Sequence, residues 1–171
     1  MTKMEKLGVI INLPQYQEYC KAIENEEKNR VFCHHDITHF AEVARTAYIL
    51  YLTNEVPCPE LKAFSEETIK ELIYVFGFLH DIGRFLEYQD NEKDHAVESE
   101  KLSRPFLKEA GFSHAEQEII LKAIKNHRCD DTQGFDRLTY LADKKSRLCT
   151  GCSGLIHCKK FANGQIPEVV I

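Results

Sequence analysis

The chain has no apolar run of membrane-spanning length. Its apolar stretch near the start, "LGVIINL", covers Leu7–Leu13, where a spanning helix needs about 20 residues. It also lacks the features of an export signal: the apolar core is short, no small-residue cleavage site follows, and Pro14 opens polar sequence. A cytoplasmic protein with no membrane partner is the expectation. There is no excess of positive charge. Lys and Arg number 22 against 27 Asp and Glu, a net charge of −5 with His neutral, which argues against an extended nucleic-acid-binding face. That balance still leaves room for a local basic pocket that takes a small phosphorylated molecule. A Walker-type phosphate loop, a dinucleotide fingerprint and an internal repeat are all missing. So is any linker long enough to divide 171 residues into two cores.

What is present is helix. "PQYQEYCKAIENEEKNR" reads as a first helix with Pro14 in its first turn. From about Asp36 to Asn54, Phe40, Val43, Ala44, Ala47 and Tyr51 recur at helical spacing. "NEVPCPEL" interrupts with two prolines. Ser65 is a suitable N-cap for "SEETIKELIYVFGFLHDIG", whose buried stripe is Ile69, Leu72, Ile73, Phe76 and Leu79, with Gly83 placed to end it. A helix from Asp94 carries Ala96, Ser99, Leu102 and Phe106. "HAEQEIILKAIKNH" and "FDRLTYLADKKSR" follow. The fold class is all-α: one helical domain over residues 1–148, of about six helices, with an irregular Cys-rich tail at 149–171. "PEVVI" at the end reads as a short edge strand or a loose tail. Nothing in the pattern specifies an oligomeric state.

The ionisable residues on these apolar faces are unusual. His80 and Asp81 sit side by side at the end of the greasiest helix. Burying two adjacent ionisable groups is costly unless something pairs with both. A single buried His hydrogen-bonded to Asp would be ordinary. Here His39 flanks the stripe that begins at Phe40, His95 starts another, His127 lies on a third, and Asp143 stands at the shoulder of a fourth. Neutral imidazoles with hard carboxylates suit a divalent transition metal that keeps bound water.

The segments "ITHFAEVARTA", "FLHDIGRF" and "YLADKKSR" together resemble the HD superfamily of metal-dependent phosphohydrolases, in which a His, an adjacent His-Asp pair and a distant Asp stand on helices. The resemblance covers roughly residues 29–147. It implies that His39, His80, Asp81 and Asp143 bind one metal. It also implies that His95 and His127, being in the right order, add a second, with Asp81 bridging. The expected cofactor is one or two divalent ions of Mn, Ni, Co, Mg or Fe. The expected reaction is hydrolysis of a phosphomonoester or phosphodiester, a nucleotide among the candidates, by metal-activated water. His35, four residues before His39 on the same helical face, is a rival first ligand or a substrate contact; the His-x-x-x-Val spacing favours His39. His114, in a helix's first turn, is expected at the surface. Arg84 and Lys144, and Arg147 beside them, are candidates to neutralise phosphate charge, or else solvated cations. Two other readings stay open: a di-iron oxygenase using the same six ligands, and a metal-stabilised binding or regulatory module.

Cysteines number seven. "CTGCSGLIHC" has the form C-x2-C-x5-C, from Cys149 through Cys152 to Cys158, with Cys33, His157 or Cys129 as a fourth partner. In a reducing compartment this reads as a structural zinc or iron–sulfur site, a redox pair, or free thiols.

Overall fold

The computed structural model describes residues 4–161. In chain order the helices are α1 (Glu5–Asn12), α2 (Pro14–Glu26), α3 (Ile37–Leu52), α4 (Glu66–Leu79), α5 (Arg84–Gln89), α6 (His95–Glu109), α7 (His114–Asn126) and α8 (Gly134–Lys145). Among the described residues there is no strand, and no helix is long and apolar enough to cross a membrane. The all-α expectation holds, and all six expected helices are present. "PEVVI" lies outside the described residues.

The helices start where short polar side chains can take up orphan backbone N–H groups. Asp36 accepts from the His39 N–H, Ser65 from Thr68, and Asp94 from Ala96 and Val97. Ser113 and Glu116 form a reciprocal capping box on α7. The same caps fix where His39, His95 and the α4 stripe begin along their helices.

α4 is the axis of the core. Ile69, Leu72, Ile73, Val75, Phe76 and Leu79 are all buried, each stabilising the fold by about 1.5–3 kcal/mol relative to exposure. α3 packs against α4 and α8, and α6 against α7, with α7 also on α4. Gly77 makes the α3–α4 approach that close: an added Cβ would stand 2.8 Å from the Ala44 Cα and N.

Two short helices join the six. α1 is the "LGVIINL" stretch; it buries Leu7 and Ile10 and packs on α4 and α6. Glu71 of α4 accepts the Lys6 and Leu7 N–H groups at 2.8 and 3.2 Å, holding the N-terminus of α1. α5 follows the His80-Asp81 turn. α4 ends at Leu79, four residues short of Gly83, and His80 through Gly83 form a turn. Gly83 is not left-handed here, with φ −90°. Its side chain is excluded because a Cβ would lie 2.5 Å from the Ser99 backbone N, and its own N–H donates to Ser99 Oγ at 2.9 Å. The glycine therefore lets the turn lie flat on α6.

Candidate metal centre

The candidate ligands come from helix ends and turns. His35 precedes α3 and His39 is in its first turn; His80 and Asp81 occupy the turn after α4; His95 opens α6; His127 is the C-cap of α7; Asp143 is on the last turn of α8. Adjacent residues in a regular helix diverge by about 100°. The break after Leu79 releases His80 and Asp81 from that constraint. Both are buried, as are His35, His39, His95 and His127.

Asp81 stands at the middle. Its Oδ2 is 3.5 Å from His80 Nε2 and 3.9 Å from both His39 Nε2 and His35 Nε2. Its Oδ1 is 3.2 Å from His95 Nε2 and 3.4 Å from His127 Nε2. Asp143 Oδ1 closes the first half, 3.4 Å from His39 Nε2 and 3.9 Å from His80 Nε2. Among the described residues, donor atoms close enough to share one ion fall into three groups: His39, His80 and Asp143; Asp81, His95 and His127; and His35, His39 and Asp81.

The imidazoles are turned so that Nε2 offers a lone pair to this centre. His80 Nδ1 donates to the Gly77 carbonyl at 2.8 Å and His127 Nδ1 to the Ile124 carbonyl at 2.6 Å. A carbonyl only accepts, so Nδ1 carries the proton in both. His35 Nδ1 donates to Glu27 Oε1 at 2.5 Å and His95 Nδ1 to Glu87 Oε2 at 2.6 Å. His95 Nε2 in turn accepts from Arg84 Nη1 at 3.1 Å. An Nδ1–H held by a carboxylate or carbonyl is the arrangement that orients a metal-ligating histidine.

The titration states agree. Burial pushes the His80 imidazole down to about 3, helped by His127 and His39, and pushes His35 down to about 4 against the pull of Glu27. Burial opposes ionisation of Asp81, but His80, His127 and His95 hold its carboxyl well below the usual range. Asp143 is also held low, by His39 and His80 beside it. Ionised carboxylates and neutral imidazoles are the forms that bind metal.

Lone pairs that face one another across 3.2–3.5 Å repel unless a cation lies between them. Among the described residues, His39 Nε2, His80 Nε2 and Asp81 Oδ1 are buried without a hydrogen-bond partner. Each such atom costs about 1–3 kcal/mol. The residues therefore fit a divalent ion: His39, His80, Asp81 and Asp143 would hold one, and Asp81, His95 and His127 a second. The Arg84 guanidinium already brings positive charge to the second group, with Nη1 3.8 Å from Asp81 Oδ1.

A cavity of about 350 Å³ opens over the centre, with Arg84, Arg128, Lys144, Arg147 and Lys160 in its walls. A larger one, about 700 Å³, lies between Val56–Glu60 and the start of α8 and contains none of these ligands. Lys144 Nζ bonds Asp143 Oδ2 at 2.6 Å and is half exposed. His114 is at the surface, with its side chain 87% exposed. The groups that sequence reasoning missed are Glu27, Glu87 and Tyr88. Glu27 sits in the charged run "ENEEKNR", whose composition signals solvent, yet it is 2% exposed. Tyr88 donates to Glu27, and its hydroxyl accepts from Arg84 Nε at 2.9 Å. No spacing rule links these residues to the histidines they hold.

The HD domain family model matches residues 36–148, and the chain belongs to the HD domain family. An uncharacterized protein of Clostridium beijerinckii is 36% identical over 155 residues, covering 91% of this chain and 92% of that one. No solved structure matches. The family match begins at Asp36, so it includes His39 and leaves out Glu27, Cys33 and His35.

Proposed function

We propose that the protein is a cytoplasmic metal-dependent phosphohydrolase acting on a small phosphomonoester or phosphodiester. The observation that carries this reading is the single carboxylate of Asp81 set between two groups of inward-facing imidazoles, beneath a cavity walled by cations. Divalent ions held by His39, His80, Asp81 and Asp143, and by Asp81, His95 and His127, would activate water near neutral pH and polarise a phosphoryl oxygen.

The chain's own residues do the rest. Glu27, Glu87 and the Gly77 and Ile124 carbonyls fix the imidazole tautomers. Arg84 is held by Tyr88 beside Asp81 and neutralises phosphate charge. Lys144 and Arg147, at the rim, orient the remaining oxygens. The surplus of positive walls over a site with ionised carboxylates favours an anionic substrate over an uncharged one.

The test is Asp81→Ala beside wild type, loaded with Mn, Ni, Co, Mg or Fe, with metal content and phosphoester hydrolysis both measured. Metal and activity should vanish together while the far-UV helical signal persists. Hydrolysis that survived in Asp81→Ala would overturn the mechanism. Wild type isolated with two irons and showing oxygen-dependent turnover without phosphate release would replace the hydrolase reading with the oxygenase one.

A further inference from the structure

The stretch Leu148–Phe161 has almost nothing to fold around. It makes three short 3-10 turns, Cys149–Gly151, Leu155–His157 and Lys159–Phe161. Leu148 and Ile156 are 72% and 84% exposed, and Gly154 alone in this stretch is buried. It is nonetheless seated on the loop before α3. An added Cβ on Gly154 would meet the Phe32 ring at 2.7 Å, and Arg147 Nη1 donates to the His34 carbonyl at 2.5 Å. Between those two contacts lies Cys33, a non-glycine residue at φ +44°.

Cys33 is the residue that this seating brings to the tail cysteines. Cys33, Cys149 and Cys158 are all among the residues that line the cavity over the His/Asp centre. Cys149 and Cys152 are joined by a turn closed by the Cys152 N–H on the Cys149 carbonyl at 3.1 Å. A second turn, closed by the Cys158 N–H on the Leu155 carbonyl at 3.1 Å, leads the chain to Cys158. Burial first raises the Cys149 thiol, Lys160 pulls it down, and the sulfurs of Cys33, Cys152 and Cys158 raise it further. Cys149 thus lies near enough to feel the other three sulfurs, one of them more than a hundred residues away in the chain.

We propose that Cys33, Cys149, Cys152 and Cys158 form a four-thiolate metal site, for a zinc ion or an iron–sulfur cluster, that fastens the C-terminal segment to the loop before α3. Four thiolates from two distant segments are the donor set of a closed structural site; no three of these sulfurs lie within 4.8 Å of one another without the ion, and its binding would draw them together. Metal binding by a segment without a core of its own contributes folding free energy directly. Here the same fastening carries Lys160 and Arg147 into the wall over the His/Asp centre. The site is separate from that centre in ligands and in chemistry, and does not depend on the hydrolase reading.

The experiment uses the full chain, purified without oxygen, as wild type, His80→Ala/Asp81→Ala, Cys149→Ser/Cys152→Ser and Cys33→Ser. Zinc, iron and acid-labile sulfide are measured per chain. The His80→Ala/Asp81→Ala variant should keep zinc, or iron with sulfide, after it has lost the ions of the His/Asp centre. Both cysteine variants should lose that content. Differential alkylation of wild type covers the case in which a cysteine variant fails to fold. These four thiols, out of seven, should be protected until a chelator strips the metal. Two outcomes overturn the proposal: Cys33→Ser with wild-type content, or all seven thiols reactive with neither metal retained after reconstitution. Zinc and iron–sulfide each support the site and identify its occupant.

Discussion

His35 Nδ1 donates to Glu27 Oε1 across 2.5 Å, and both side chains are buried behind the candidate metal centre. Glu27 also accepts the His35 backbone N–H at 2.6 Å and the Tyr88 hydroxyl. One acid at the end of α2 thus sets the tautomer of His35 and, through Tyr88, the position of Arg84.

Glu27→Gln keeps the shape but replaces a strong acceptor with a weaker one. Partners of this kind change metal affinity by about 10–100-fold. We expect the variant to fold and to bind metal more weakly by a factor in that range, read by titration with a competing chelator. Unchanged affinity would remove Glu27 from the support of the centre.

Acid should destabilise the metal-free protein well above the usual carboxylate range. The imidazoles of His35 and His80 sit at about 4 and about 3, below the ordinary 6.5. The unfolded chain therefore binds more protons than the native one between these values, and stability falls as pH drops through that window. Each group contributes a slope of up to about 1.4 kcal/mol per pH unit. Urea midpoints of the metal-free chain should fall steadily from pH 6.5 to 4. A flat profile there would mean that the imidazoles are not held neutral. Metal affinity should fall over the same interval.

Arg84 is expected to act on substrate. Arg84→Ala removes a charge-assisted contact, of about 1.5–3 kcal/mol for a phosphate oxygen. KM for a hydrolysed phosphoester should rise roughly 10–100-fold with metal content unchanged. Loss of metal in parallel would make Arg84 a positioning residue for Asp81 and His95.

Gly77→Ala tests the α3–α4 contact that brings His39 to His80. The added methyl would meet Ala44 backbone atoms at 2.8 Å. Overpacking of this kind costs about 1–3 kcal/mol, against a gain of about 1 kcal/mol in helix propensity. A lowered Tm is expected, with weaker metal binding; a raised Tm would show that α3 can shift without penalty.

Much of the architecture is legible in the chain itself. Ser65, Asp36, Asp94 and Ser113 mark helix starts, because capping is a local interaction between neighbours in sequence. The stripe of α4 follows from its period. The eight residues of α1 offer too short a period to read, and tertiary packing on α4 and α6 makes them helical. The break after Leu79 was equally hidden, since "HDIGRF" continues a helical pattern up to its glycine and the reason for Gly83 is the α6 backbone beside it.

The sequence by itself determined which residue types are available for metal: apolar stripes carry histidines and aspartates that could not remain buried alone. Their grouping belongs to the tertiary structure. Only the packing of helix ends decides that Asp81 faces both sets of imidazoles, that His35 stands with His39 rather than in place of it, and that a glutamate from a charged run lies behind them. Periodicity reports which face of a helix is buried. It carries no information about which ends of different helices meet, because that depends on crossing angles and close approaches set by the whole core.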